Sequence, residues 1–376
     1  MTSLILYKNL LDFTSDQTSR SWILVDGTHI VAQGQADSWS THIDSETLNK
    51  AQIQEADDKV LAPAFVDIHC HGGGGISFED APHVEAALDL HGQAGTGTLL
   101  ASLVSNPLTD MGSTMATLLP LLGQETPGRA TLAGFHAEGP FISPLHKGAH
   151  NPATLRAPSA DQVESLWEAA EGKLLQITLA PEADQGLATI RRCIELGIRV
   201  AVGHTDATYE QAKAAFDEGA SLLTHTFNAM RPLHHRQPGP VAAAADSSHV
   251  TLELICDGVH VHEPMVRAAF ALAPGRVALI TDAMAAAGCS DGAYKLGSLA
   301  VEVQDSIARI AGTDTIAGST LTLAAAIKQA VAFGIPLRQA LEAASSVPAR
   351  ALGLDVSTKS YTLLKADGSL LTPLSR

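Results

Sequence analysis

Short apolar stretches alternate with polar turns through the first 60 residues, in SWILVDG, THIVAQG and DKVLAPA. A period of two broken by Gly and Asp predicts short antiparallel strands. From about residue 63 the texture changes to continuous apolar runs. Eight can be read: AFVDI (64–68), TLLASLV (98–104), TLAGF (131–135), LLQITLA (174–180), RVAVG (199–203), SLLTH (221–225), TLELIC (251–256) and RVALIT (276–281). Between most of them lie amphipathic segments such as DQGLATIRRCIELG and TYEQAKAAFDEGA, which predict helices. Continuous apolar strands alternating with helices indicate parallel strands covered on both faces. Eight of them favour an α/β fold of the (β/α)8 TIM-like barrel type, with a doubly wound sheet as the alternative. Beyond the eighth run, LTLAAAIKQAVAFG and PLRQALEAAS predict helices, and SYTLLKADGSLLTPL returns to strand texture around a DG turn. The two ends share a β character that the middle lacks. We therefore expect a small β-sandwich domain built from both chain termini (1–61 and 355–376) around a barrel at 62–354.

Composition agrees with that division. A chain of 376 residues exceeds the roughly 250–300 that one compact core accommodates. With 45% hydrophobic and 17% charged residues it has ample material for a core, which excludes a disordered chain. Lys and Arg number 24 against 40 Asp and Glu, a net charge of −16. That field repels a polyanion and argues against nucleic acid as the main partner. A small anionic substrate would need a pocket with its own positive charge. Cys70, Cys193, Cys256 and Cys289 make no disulfide framework and no CxxC pair, so reduced thiols are expected. The amino terminus, MTSLILYKNLLDF, does not read as a signal peptide, and no apolar run approaches the ~18 residues of a membrane span. The expectation is a cytoplasmic protein with no membrane partner.

The 16 histidines change the picture most. In a (β/α)8 barrel, functional residues sit at the carboxyl ends of strands. The first run is followed by Asp67, His69 and His71, and alternation points both imidazoles the same way. Cys70 between them points away and reads as core. The third run leads to His136-Ala137-Glu138-Gly139-Pro140, where Glu138 is expensive to bury unless paired or ligating. His204 follows the fifth run, His225 the sixth and Asp282 the eighth. Each alone has an ordinary explanation: loop histidines on backbone carbonyls, an exposed glutamate, an N-capping aspartate. Together, five imidazole or carboxylate groups and an aspartate at successive strand ends point to a divalent metal, zinc or a similar ion. Such an ion lowers the pKa of bound water towards neutrality, so metal-assisted hydrolysis is the reaction class.

The motifs FVDIHCHGGGG, GFHAEGPFISPLHKGAHNP, VGHTDATYEQ, THTFNAM, CDGVHVH, LITDAMAAAG and TIAGSTLTL resemble the amidohydrolase superfamily. HxH is shared by many hydrolases; HAEGPF with KGAHNP, THTFNAM and DGVHVH is similar to the branch that deacetylates amino-sugar phosphates. The resemblance implies hydrolysis of N-acetylglucosamine 6-phosphate to glucosamine 6-phosphate and acetate. It implies Glu138, His204 and His225 as ligands of a principal metal, and His69 and His71 as ligands of a second, so one or two ions per subunit. Asp282 would take a proton from the metal-bound water and deliver it to the departing amine. Ala149 and His150 match a loop that closes on the sugar. Asn228 and Ala229 match a further substrate contact, Ala317, Gly318 and Ser319 a late loop lining the sugar, and Arg236 and His260 the 6-phosphate site. The matching arginine reaches the neighbouring subunit's site, which implies a homodimer. Ala64 and Thr226 depart from the usual pattern without touching the chemistry. Alternatives are an isomeric N-acetylhexosamine 6-phosphate such as the galactosamine form, a cyclic amide or nucleobase, or a non-catalytic scaffold.

Overall fold

The computed structural model describes residues 4–14, 19–354 and 360–375. The eight apolar runs form eight parallel strands: β1 (Phe65–Asp67), β2 (Thr96–Leu103), β3 (Thr131–Glu138), β4 (Leu174–Leu179), β5 (Arg199–Val202), β6 (Leu222–Leu223), β7 (Thr251–Ile255) and β8 (Val277–Ile280). Each pairs with its neighbour in sequence. Every residue of β7 and β8 is buried, as expected of strands covered on both faces. Between β8 and β1 the ring is joined by single bonds. Thr281 Oγ1 donates to Asp67 at 2.6 Å, and the Asp282 N–H donates to the His69 carbonyl at 2.8 Å. The covering helices follow the expected amphipathic segments. Gly186–Glu195 buries Ile190 and Cys193, and Tyr209–Asp217 begins with a capping box of Thr208 and Gln211.

The terminal strands meet as expected. Leu4–Asp12, Ser19–Asp26, His29–Gln35, Gln52–Glu55 and Lys59–Pro63 share one seven-stranded sheet with Ser360–Lys365 and Leu370–Ser375. Leu4–Asp12 also pairs with Ser19–Asp26, so the sheet curls back on itself around Leu10, Ile23, Val25, Leu61, Leu363 and Leu374. Lys59–Pro63 pairs with Ser360–Lys365, carrying the small sheet two residues past 61 before the barrel begins at Phe65. The expected boundary at 354/355 borders residues 355–359, which lie outside the described residues.

One element has no counterpart in the sequence reading. Gly292–Leu296, Leu299–Gln304 and Ile307–Ile310 form an antiparallel meander between β8 and the helix Leu323–Ala332. Its alternating LAVEVQ buries Val301 and Val303 beside Met284 and Ala317. The meander and the loop after it wall one side of the barrel mouth. No helix among the described residues is long and apolar enough to cross a membrane.

Candidate metal centre and active site

The strand ends deliver the expected residues to one place. His69 and His71 follow β1, Glu138 ends β3, and His204, His225 and Asp282 stand just past β5, β6 and β8. All six are buried. His204, His225 and Asp282 have positive φ angles of 46°, 25° and 48°. Non-glycine residues adopt this region at a cost of about 1–3 kcal/mol each, and such outliers gather at functional sites. Two glycines make the turns possible. A Cβ on Gly203 would meet the Thr224 Cβ at 2.4 Å, and one on Gly139, itself at φ +82°, would meet Ser105 Oγ at 2.3 Å. Asp282 caps no helix, since the next one starts at Leu323 with Thr322 as its cap.

The hydrogen bonds fix which ring nitrogens face the centre. His71 Nδ1 lies 3.1 Å from the Ser102 carbonyl and His204 Nδ1 2.8 Å from the His146 carbonyl. A carbonyl only accepts, so both Nδ1 atoms carry the proton and both Nε2 atoms offer lone pairs. His69 Nδ1 is held at 3.1 Å by the carboxylate of Glu253. The Nε2 atoms of these rings and of His225 then crowd one another. His69 and His71 Nε2 are 3.2 Å apart, and His204 and His225 Nε2 are 2.9 Å apart. Glu138 sits between the pairs, 3.1 and 3.2 Å from His204 and His225 through Oε1 and 3.2 Å from His71 through Oε2. Lone pairs converging at these distances repel unless positive charge lies among them, which protons or a divalent ion can supply, and imidazoles with a carboxylate are a donor set that fits a divalent ion.

The electrostatics agree. Burial disfavours a charged His71, but hydrogen bonds and charge from Asp282 and Glu138 outweigh it and push the imidazole up to about 10. Burial opposes ionisation of Glu138 too, yet positive charge at His69 and the imidazoles of His150, His204 and His225 around the carboxylate hold it well below the usual carboxylate range. The carboxylates demand positive charge among the imidazoles.

His150 plays a different part. It lies 3.3 Å from Glu138 through Nε2, close enough to pass for a third ligand beside His204. Its Nδ1, however, accepts the Ser105 backbone N–H at 3.1 Å. The proton of the neutral ring therefore resides on Nε2. Burial, then the charge of His204, bring His150 down to about 4, so the ring is neutral at physiological pH. His150 is a hydrogen-bond donor aimed into the site.

A pocket of about 450 Å³ opens over the centre. His71, Glu138, His204, His225 and Asp282 form its floor, and Ala149, His150, Asn228, Ala229, His260 and Gly318 contribute to its walls. Asn228 Nδ2 also donates to the His225 carbonyl at 3.2 Å, stiffening the turn that carries that imidazole. His260 is held at 2.7 Å by Asp257. Burial works against its protonation, but the Asp257 hydrogen bond and charge prevail and raise its pKa. Two expected wall residues stand back. Ala317 packs with the meander, and Ser319 Oγ donates to the Thr281 carbonyl while its N–H donates to the Asp282 carbonyl at 2.7 Å. Ser319 thus braces the Asp282 turn. Arg236 lies on an exposed loop and does not line the pocket of its own chain.

Beneath the ligands runs a buried polar layer that the sequence reading passed over. His136 bridges Ser102 Oγ at 2.9 Å and Thr178 Oγ1 at 2.8 Å, and Thr178 meets Thr224 at 2.9 Å. Glu253 on β7 takes Gln176 Nε2 at 2.7 Å besides His69. The available signal was a charged or amide residue inside an otherwise apolar run, as in TLELIC and LLQITLA, because burying one is costly without partners. Cys70 is core, as expected: fully buried with Sγ 3.5 Å from the Gly72 carbonyl.

Comparison with known proteins extends this picture. The amidohydrolase family signature matches residues 60–358. The chain is 38% identical over 306 residues to N-acetylgalactosamine-6-phosphate deacetylase of Escherichia coli O157:H7, covering 81% of each. It is 35% identical over 297 residues to N-acetylglucosamine-6-phosphate deacetylase of Vibrio furnissii, covering 78% of this chain and 74% of the relative. The crystal structure of N-acetyl-D-glucosamine-6-phosphate deacetylase from Mycobacterium smegmatis superposes with a TM-score of 0.86 at 37% identity, over 99% of this chain and 98% of that one. A variant of that enzyme in complex with N-acetyl-D-glucosamine-6-phosphate superposes at 0.87 with the same identity and coverage. With the barrel, the candidate ligands at its strand ends and a signature spanning most of the sequence in agreement, the chain belongs to the amidohydrolase family.

Proposed function

We propose that this protein hydrolyses N-acetylglucosamine 6-phosphate to glucosamine 6-phosphate and acetate, using zinc. The observation that carries the reading is one pocket that joins the candidate ligand set, a buried aspartate, a neutral imidazole donor and, on its wall, an imidazole paired with a carboxylate. Glu138, His204 and His225 would hold a divalent ion, with His69 and His71 able to hold a second, and such an ion would supply Lewis acidity and acidify a water near neutral pH. Asp282 Oδ1 is 3.2 Å from His71 Nε2, and although burial opposes ionisation, the charges of His69 and His71 keep the carboxylate lowered. It is therefore free to accept a proton at neutral pH and pass it to the leaving nitrogen, which departs readily only when protonated. The His150 Nε2–H is placed to donate to the acetamide oxygen as negative charge develops there. His260, whose pKa Asp257 raises, favours positive charge beside the 6-phosphate in an otherwise acidic protein.

Arg236 is exposed and outside its own pocket, which supports a homodimer in which it serves the neighbouring site. All four cysteines are free, in keeping with a cytoplasmic location. A second reading, the galactosamine epimer as substrate, is supported by the 38% identity to a relative named N-acetylgalactosamine-6-phosphate deacetylase. The test is acetate release from both 6-phosphates and from unphosphorylated N-acetylglucosamine. The proposal expects the highest kcat/KM on N-acetylglucosamine 6-phosphate. Preference for the galactosamine ester would install the second reading, and equal rates with and without phosphate would remove the phosphate site.

A further inference from the structure

Glu253 lies at the middle of β7, fully buried under the metal centre, and the proposed chemistry assigns it nothing. Its Oε2 takes His69 Nδ1–H at 3.1 Å and faces the His225 backbone N–H at 3.4 Å, while Oε1 takes Gln176 Nε2 at 2.7 Å. Both oxygens are occupied by donors, so Glu253 is not itself a ligand. Its effect on His69 differs from what the neighbouring ligands receive. His71 and His204 rest their Nδ1–H on neutral backbone carbonyls; His69 rests on a carboxylate. A carboxylate behind an imidazole fixes the tautomer, locks the ring orientation and raises the basicity of the opposite nitrogen.

We propose that Glu253 is the positioning residue that makes the His69–His71 pair a metal site, and so sets the number of ions the chain holds. Among the described residues, the carboxylates that face the pair's Nε2 atoms are Glu138 and Asp282, and Glu138 is shared with His204 and His225. A third carboxylate acting through His69 supplies donor strength where the direct ligands are shared. The burial of Glu253 fits this role, since an unpartnered buried carboxylate is otherwise costly. The inference rests on the metal reading alone and is independent of the substrate.

The test counts metal without substrate, so its failure leaves the deacetylase proposal standing. Zinc per chain is measured by plasma mass spectrometry after equilibration at buffered free zinc, for wild type, Glu253→Gln, Glu253→Asp and His69→Asn. Gln keeps the volume and removes the charge. Asp keeps the charge and withdraws it from Nδ1 by one methylene, so one variant stands if the other does not fold. Wild type is expected to take two ions, and His69→Asn one. Both Glu253 variants should bind the second ion about 10–100-fold more weakly while keeping the first. A second ion held within about threefold of wild-type affinity overturns the proposal, as does a wild type that saturates at one ion.

Discussion

Replacing His150 with asparagine separates a hydrogen-bond donor from a metal ligand. The imidazole lies 3.3 Å from Glu138, so distance alone permits either role. The Ser105 N–H on Nδ1 decides between them, because it leaves the ring proton on Nε2. Asparagine can still accept from Ser105 through Oδ1, but its side chain stops short of the position Nε2 occupies. The substitution thus removes one donor from the site and leaves the loop anchored. Loss of a single donor to a developing oxyanion costs about 10²–10³ in kcat, or about 2.7–4 kcal/mol. Acetate release from N-acetylglucosamine 6-phosphate should fall by that factor with KM nearly unchanged, and zinc content should stay at the wild-type value. Because His150 is brought down to about 4, its titration should leave no limb in the wild-type profile between about pH 6 and 8. Loss of a zinc equivalent from the variant would make His150 a ligand, and a fall of less than about tenfold would remove it from transition-state stabilisation.

Asp282→Asn should retain wild-type zinc yet lose at least about 10²–10⁴ in kcat, the usual contribution of a general acid–base; retained turnover would contradict its role. His260 has a raised folded-state pKa, so its contribution to phosphate binding is complete below about 6.5 and fades as pH rises through the higher value. KM for the phosphorylated sugar should climb over that alkaline window, and Asp257→Asn should move the climb to lower pH. A KM flat with pH in both proteins would separate His260 from the phosphate. Thr281→Val removes the 2.6 Å bond to buried Asp67 at the β8–β1 seam and should lower unfolding free energy by about 1–3 kcal/mol in urea. A change within about 0.5 kcal/mol would mean the seam is held elsewhere.

The barrel was legible because its strands are buried on both faces and therefore read as uninterrupted apolar runs; each of the eight runs overlaps a strand. The clustering of His69, His71, Glu138, His204, His225 and Asp282 was legible because polar residues at the ends of such runs stand out against them. What escaped lay inside the runs or outside the periodic pattern. Glu253 and Gln176 sit within β7 and β4, where a single polar residue passes for an edge of the pattern, and their pairing depends on barrel closure. The tautomer of His150 hangs on a backbone N–H 45 residues away, which spacing cannot express. The 292–310 meander alternates in LAVEVQ but stands between a barrel strand and the helix Leu323–Ala332, where the alternating strand–helix pattern has no place for a small antiparallel sheet. Arg236 is identifiable by resemblance, whereas a single chain leaves it in solvent.

Metal-dependent deacetylation is tested most directly by stripping the protein with chelator and following acetate release from N-acetylglucosamine 6-phosphate as zinc is returned. Turnover should be abolished in the stripped protein and return in proportion to zinc bound, reaching its plateau when the ligand set is filled. Stripped protein that releases acetate at the reconstituted rate would contradict the assignment of Glu138, His204 and His225 to a catalytic ion.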